Sequence, residues 1–266
     1  MQTRFKLLSS VHNDTIKQLS KLVQQGREQR KQGVMLLEGI HLCEAGLASG
    51  WKIVQLFINL RTVSKPEVVN LLQRMPPTSQ LFTLDDALLA KVSALASAPE
   101  ILAVCQRPTP APANSTDSRV LLEDIQDPGN LGTILRSAAA SGVNQVYLSP
   151  GCVDVYSTKV LRAAMGAHFV LALYEQADLG QQLQAFDGVK LVTSLEGNVS
   201  LYAQDLRSAV AFVFGNEGAG VSAALLAQAD AKVRIPMPGR AESLNVAMAA
   251  TLCLFERVRQ LERSGS

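Results

Sequence analysis

What this chain of 266 residues lacks narrows it before anything it contains is read for function. No apolar run approaches the roughly 18–20 residues that span a bilayer. The opening Met1-Gln2-Thr3-Arg4-Phe5 carries neither an apolar stretch nor a cleavage-site pattern, so a cytoplasmic protein away from membranes is expected. Cysteine is scarce: Cys43, Cys105, Cys152 and Cys253 lie far apart, without metal-ligand spacing, and read as reduced core residues. The histidines His12, His41 and His168 are equally scattered, so no metal is expected. The G-x-S-x-G elbow, the G-x-x-x-x-G-K-[ST] loop and the H-E-x-x-H helix are all missing. Charged residues reach only 18% against 47% apolar, which supplies a substantial core and excludes global disorder.

The small net charge of +2 is unevenly spread. Residues 1–107 carry 13 basic against 8 acidic side chains, a balance of +5, and the remainder carries 12 against 15, a balance of −3. The excess sits in Arg4, Lys6, Lys17, Lys21, Arg27, Arg30 and Lys31, opposed only by Asp14 and Glu28. Such a run is most often a solvated helical face; its other meaning is an electrostatic footprint for a polyanion.

Along residues 1–107 helix and strand signals alternate. Asn13 or Asp14 caps a helix whose apolar face is Ile16, Leu19, Leu22 and Val23, and Gly26 with the charges after it ends that helix. Strands are expected at 34–39, 53–58, 80–84 and 101–105. Helices are expected at 40–49, 66–74 and from Asp85 or Asp86 to residue 98. This is a small α/β layered domain. Residues 108–118, with Pro108, Pro110 and Pro112 among small polar residues, form a semi-extended linker. Residues 119–266 return to strand–helix alternation: strands at 120–125, 146–148, 191–194, 209–214 and 233–235, and helices at 131–141, 157–166, 177–186 and 243–261. A mostly parallel sheet covered on both faces follows.

Two stretches stand out, Phe214-Gly215-Asn216-Glu217-Gly218-Ala219-Gly220 and Ile235-Pro236-Met237-Pro238-Gly239 continuing through Ser243-Leu244-Asn245. Each follows an apolar strand and opens toward a helix, where free backbone N–H groups gather and an open α/β sheet binds ligands. The first lacks G-x-G-x-x-G spacing, so a dinucleotide reading rests on glycine content alone; by itself it reads equally as a tight connection. Asn130 reads as a helix cap. Arg136, on the otherwise small and apolar Ile134–Ala140 stretch, reads either as a surface cation or as a partly buried one awaiting phosphate or carboxylate.

Glu123 through Arg136, with Asp127-Pro128-Gly129-Asn130-Leu131-Gly132 inside it, resembles motif 1 of the SpoU (TrmH-type) RNA ribose 2′-O-methyltransferases. Phe214–Ser222 resembles their motif 2 and Ile235–Ala247 their motif 3, in the same order; Lys159–Ala167 fits one branch, and Leu37-Glu38-Gly39 resembles part of its L30e-like domain. Thr158 and Val221 stand where many relatives carry proline and leucine. The resemblance implies a trefoil-knotted SPOUT α/β fold with a small N-terminal L30e-like α/β domain. It implies S-adenosyl-L-methionine held by Thr193, Ser194, Phe214, Gly215, Asn216, Gly220, Ile235, Met237, Ser243, Leu244 and Asn245. It implies catalytic roles for Arg136, Asn130, Glu217, Ser243 and Asn245. RNA would be the partner, rRNA ahead of tRNA, contacted by Arg27, Arg30 and Lys31, and the final helix would serve a homodimer. A tRNA methyltransferase and a non-catalytic RNA-binding protein on the same scaffold are the alternatives.

Overall fold

A computed structural model describes residues 5–93 and 99–264. The chain divides into two compact units, residues 1–109 with 156–158, and 110–155 with 159–266.

In the first unit, β1 (Phe5–Leu7), α1 (Asp14–Gln24), α2 (Gly26–Gln32), β2 (Val34–Glu38) and α3 (Ile40–Ala48) are followed by β3 (Ile53–Asn59), α4 (Pro66–Arg74), β4 (Gln80–Leu84), α5 (Asp86–Val92) and β5 (Ile101–Gln106). The five strands lie in the order β1-β4-β3-β5-β2, with β5 antiparallel to both its neighbours. α1 starts because the Asn13 side chain accepts from the Thr15 N–H, and it buries Ile16, Leu19 and Leu22. Those side chains join Leu36, Phe57, Phe82, Leu88, Leu102 and Val104 in one core. Gly26 does not close a region of helix as the sequence pattern suggests: it opens α2, and Gly33, left-handed at φ 63°, closes that helix instead. β1 is an addition to the strands expected from the sequence; the helix expected to reach residue 98 ends at Val92, where Ser93 turns extended, and residues 94–98 lie outside the described residues.

In the second unit, β6 (Arg119–Leu122), α6 (Pro128–Ala140), β7 (Gln145–Leu148), α7 (Thr158–Ala163), β8 (Ala172–Tyr174), α8 (Leu179–Gln184) and β9 (Val189–Thr193) precede β10 (Val199–Ser200), β11 (Val210–Phe214), α9 (Ala223–Leu226), β12 (Ala231–Arg234) and α10 (Val246–Ser264). The sheet runs β10-β12-β9-β11-β6-β7-β8, and each of these neighbouring pairs is parallel. Parallel strands buried on both faces explain the near-continuous apolar runs of β6 and β11. α8 and α9 cover one face through Leu179, Leu183 and Leu225, with Phe186 just after α8 in the same cluster. On α10, Ala247, Ala250, Cys253 and Leu254 are buried, and that helix packs on α6, where the Ser137 and Thr251 hydroxyls meet at 2.7 Å.

The topology makes the site. β9, β11 and β12 are neighbours and point the same way, so the loops leaving their C-terminal ends emerge side by side. β6 flanks β11, which brings the loop of residues 123–127 beside the loop after β11.

Candidate functional site

A cavity of about 690 Å³ opens among these loops. Ten of the positions carried by the resemblance line it: Thr193, Ser194, Gly215, Asn216, Gly220, Ile235, Met237, Ser243, Leu244 and Asn245. The eleventh, Phe214, does not. Its side chain is fully buried in β11, stacked on Phe212 with ring centroids 6.2 Å apart, because a strand in the middle of a covered sheet turns both its faces to core. Only its backbone serves the site, its carbonyl accepting from the Glu123 N–H at 2.9 Å.

The loop after β11 is shaped by its own backbone. Asn216 and Gly220 exchange N–H···O bonds at 3.0 and 2.9 Å, and the Asn216 carboxamide oxygen accepts from the Gly218 and Ala219 N–H groups. Gly215 is obligatory for a steric reason: a Cβ there would sit 2.2 Å from the Gly220 carbonyl carbon. Two further bonds fasten this loop to the end of β6. The Asn216 amide donates to the Asp124 carbonyl at 2.8 Å, and the Ser222 N–H donates to the Glu123 carboxylate at 2.7 Å. The sequence offers Glu123 only as an acidic strand end; its partner lies 99 residues away and no local pattern reveals it.

Glu217 binds the two loops from the other side. Its carboxylate accepts from the Asn130 side-chain amide at 3.0 Å and from the Asp127 and Gln126 backbone N–H groups at 3.3 and 3.4 Å. Partial burial alone would raise its pKa, but those hydrogen bonds outweigh it and hold the carboxyl below the usual 4.5. The Asn245 amide donates to the Asn130 side-chain oxygen at 2.8 Å, while the Asn245 oxygen caps α10 by accepting from the Ala247 and Met248 N–H groups. Asn130 is therefore not the cap of α6. Asp127 is, through its bond from the Asn130 N–H, and the Asn130 side chain is left to join Glu217 to Asn245. One chain of hydrogen bonds ties motif 1, motif 2 and the start of the last helix together.

Arg136 lies outside this network. The structure corrects the expectation of a partly buried cation: the side chain is exposed on α6, makes no hydrogen bond or ion pair among the described residues, and does not line the cavity. Helical spacing explains this, since Leu131, Ile134, Leu135 and Ala138 take the buried face and leave Thr133 and Arg136 outside. Ser243 is exposed at the cavity rim. Arg27, Arg30 and Lys31 lie in the first unit, exposed on α2.

The cavity's chemistry fits a cationic nucleoside cofactor. Its volume falls within the usual range of small-ligand pockets, about 300–1,000 Å³. Glu196, Glu217 and Arg234 stand in the lining, two acids and one base, which suits a sulfonium and an ammonium with one carboxylate. Leu244 and Ile235 supply apolar wall for a purine. Sequence reasoning misses Glu196 and Arg234, although the first lies beside Ser194 in a loop that the resemblance marks. Among the described residues no group of three His, Cys, Asp or Glu side chains stands close enough to hold a metal ion.

Comparison with known proteins agrees with this geometry. Residues 117–255 match the SpoU rRNA methylase family, and residues 13–103 match an MRM3-like substrate-binding domain. The 23S rRNA (guanosine(2553)-2′-O)-methyltransferase RlmP of Bacillus subtilis is 34% identical over 94% of this chain and 98% of its own length. Two solved structures superpose closely. The AdoMet-bound rRNA methyltransferase from Sinorhizobium meliloti does so with a TM-score of 0.86 and 27% identity over 97% of this chain and 99% of its own. The SpoU methyltransferase AviRb from Streptomyces viridochromogenes, in complex with AdoMet, gives 0.85 and 27% over 94% and 98%.

Proposed function

The chain belongs to the SpoU rRNA methylase family, and from that premise we propose that it methylates a ribose 2′-hydroxyl of ribosomal RNA with S-adenosyl-L-methionine as donor. The observation that carries the reading is the junction of Asn130, Glu217 and Asn245 at the mouth of the 690 Å³ cavity. When bound, the cofactor supplies a methyl group on a sulfonium, already a good leaving group, so the chain's own work is alignment and charge management. Gly215, Ile235 and Leu244 hold the adenosine by close backbone approach and apolar contact. Asn130, Glu217, Ser243 and Asn245 fix the loops that set the line of attack. Arg136, a guanidinium with hydrogen-bond donors and no acceptor, stabilises the developing alkoxide or grips the neighbouring phosphate rather than removing the proton.

The molecule works as a homodimer in this reading. Met248, Leu252 and Phe255 recur along one side of the last helix and remain exposed, opposite the face that packs on α6. A stripe of that length left to water fits a second copy of the same surface. The place of β12 between β10 and β9, rather than at the sheet edge, supports the knotted passage of the chain that follows it. Among the described residues no helix is long and apolar enough to cross a membrane, and the reading sets the enzyme in the cytoplasm with its RNA.

Incubating the protein with an unmodified 23S rRNA transcript and labelled cofactor, then mapping the product, tests this. A single 2′-O-methylated ribose is expected, and Arg136→Ala abolishes transfer while calorimetry still records cofactor binding. Absence of binding heat in the wild-type chain, or methylation of a base, overturns the proposal.

A further inference from the structure

Among the described residues, three other than glycine hold a positive φ: Asp124, Gln176 and Met165. A left-handed backbone is costly for a residue that carries a side chain, and it persists where the surroundings or a function enforce it. Asp124 has an evident structural reason. Its carboxylate accepts from the Ser149 hydroxyl at 2.5 Å and its carbonyl accepts from Asn216. Gln176 is a polar residue in a turn, a type that water solvates well. Met165 has neither excuse: it sits at φ 48° and is 71% exposed, so the strain gains it no packing.

The turn that carries it is rigidly founded. Val160, Leu161, Ala164 and Ala167 are buried around it, and the His168 imidazole is buried against the Val155 carbonyl at 2.7 Å. Gly166 follows at φ 88°, so glycine, the ordinary residue for a left-handed helix end, comes one position later than the strain begins. The Met165 side chain is held outward, like a peg on a fixed base. Lys159 and Arg162 stand exposed on the same short helix, and neither makes an ion pair or hydrogen bond among the described residues. The whole turn is keyed to the site. A Cβ on Gly132 would come 2.3 Å from the Ala163 Cβ, so α7 packs directly on the first turns of α6, two residues from Asn130. Arg136 is one turn further along α6 and is also unpaired.

We propose that Met165 is a substrate-positioning wedge, stacking on an unpaired nucleobase beside the target ribose while Lys159 and Arg162 hold the flanking phosphates. The proposal rests on the reading of the substrate as RNA. Its chemistry is that of single-strand recognition, in which a polarizable apolar side chain meets a base face and free cations track the backbone. An exposed thioether on a strained turn, following a short helix that carries two exposed cations, matches that need better than it matches an apolar protein surface.

The test exploits opposite signs. Met165→Gly removes the backbone strain, so the thermal midpoint of the full chain is expected to stay level or rise. The same change is expected to lower kcat/KM on an unmodified 23S rRNA transcript by about tenfold, the scale of one stacking interaction with a base. Met165→Leu should retain most of the rate, and cofactor binding by calorimetry should be unchanged throughout. Lys159→Gln with Arg162→Gln should weaken transcript binding and flatten its salt dependence. If Met165→Gly and Met165→Ala leave both kcat/KM and transcript affinity at wild-type values, the proposal is wrong. A change in oligomeric state with unaltered RNA kinetics would assign Met165 to an interface between chains and overturn it equally. Should the wild-type chain transfer no methyl group, the reading of function fails instead, and transcript affinity alone still decides the role of Met165.

Discussion

Glu217 shows how a side chain acts here by holding loops rather than by touching a proton. Three donors from the loop of residues 126–130 converge on one carboxylate, so its negative charge is what keeps motif 1 against motif 2. Glu217→Gln keeps the shape but replaces an acceptor-only group with one that must also donate. We expect kcat/KM to fall by about ten- to a hundredfold, the scale on which small misplacements of reacting groups act, with the fold retained. Its lowered pKa sets the sign of the acid response: the stabilising charge is complete above 4.5 and is lost only as pH falls through the lower folded value. A pH–rate profile should therefore show no loss assignable to Glu217 between pH 5 and 7, and a step there that vanishes in the Gln variant would refute its charge state. His168 titrates in the opposite sense. Burial holds it neutral, with its pKa pushed down to about 4 from 6.5, so unfolding takes up a proton between those values. Stability that it permits near neutrality is eroded as pH falls from 6.5 toward 4, by up to about 3 kcal/mol for a shift of that size. Denaturant titrations at pH 7 and 4.5 should show a smaller gap for His168→Gln than for the wild type, whatever the absolute stability of the variant. At this scale the sequence yields residue types through family resemblance, but not their partners. Asn130 looks like a cap, because hydrogen bonds spanning 87 and 115 residues leave no trace in local spacing.

At the scale of elements, the period of apolar residues is the reliable guide. α4 and β4 begin and end where the pattern places them, and α1 has the cap and the buried face that its sequence announces. Short elements carry no such signal: β1, β8 and β10 have two or three residues each, too few to show a period. The basic stretch after α1 misleads for a related reason. Gly26 looks like a stop, whereas the chain pauses at Gln25, extended at φ −129°, and resumes as α2 with Arg27, Arg30 and Lys31 exposed along it. A regular helix presents cations at fixed spacing, an arrangement that suits the proposed contact with RNA. Replacing all three with glutamine should weaken binding to the 23S rRNA transcript and reduce the slope of log K against log salt by about 0.7–0.9 for each phosphate that is no longer neutralised. An unchanged slope, measured by filter binding across a salt series, would leave α2 as a solvated face.

At the scale of the whole molecule, fold class is legible in the sequence and strand order is not. Alternation of strands and helices announces a parallel sheet, but nothing local says that β12 inserts between β10 and β9, because that depends on where the chain crosses rather than on which faces are apolar. The last helix poses the same problem one level up. Its sequence shows one broad apolar stripe; the structure divides it into a small-residue face against α6 and a larger-residue face left in water. That division makes the dimer testable. Phe255→Glu with Leu252→Glu places charge on the exposed face without touching the buried one, so light scattering should report a folded monomer for the variant and, if the proposed dimer forms, a dimer for the wild type. If the site is complete within one chain, this monomer should keep its methyl transfer. Arg136 stands outside the cavity lining of its own chain, so we expect the monomer to bind cofactor and fail to transfer. Subunit mixing separates the two cases. Arg136→Ala is inactive for want of a cation, and Gly215→Val is inactive because its side chain collides with Gly220. Co-refolded, the two should regain transfer if the cation of one copy serves the pocket of the other. If each Arg136 serves its own pocket, no mixed dimer contains an intact site and the mixture stays silent.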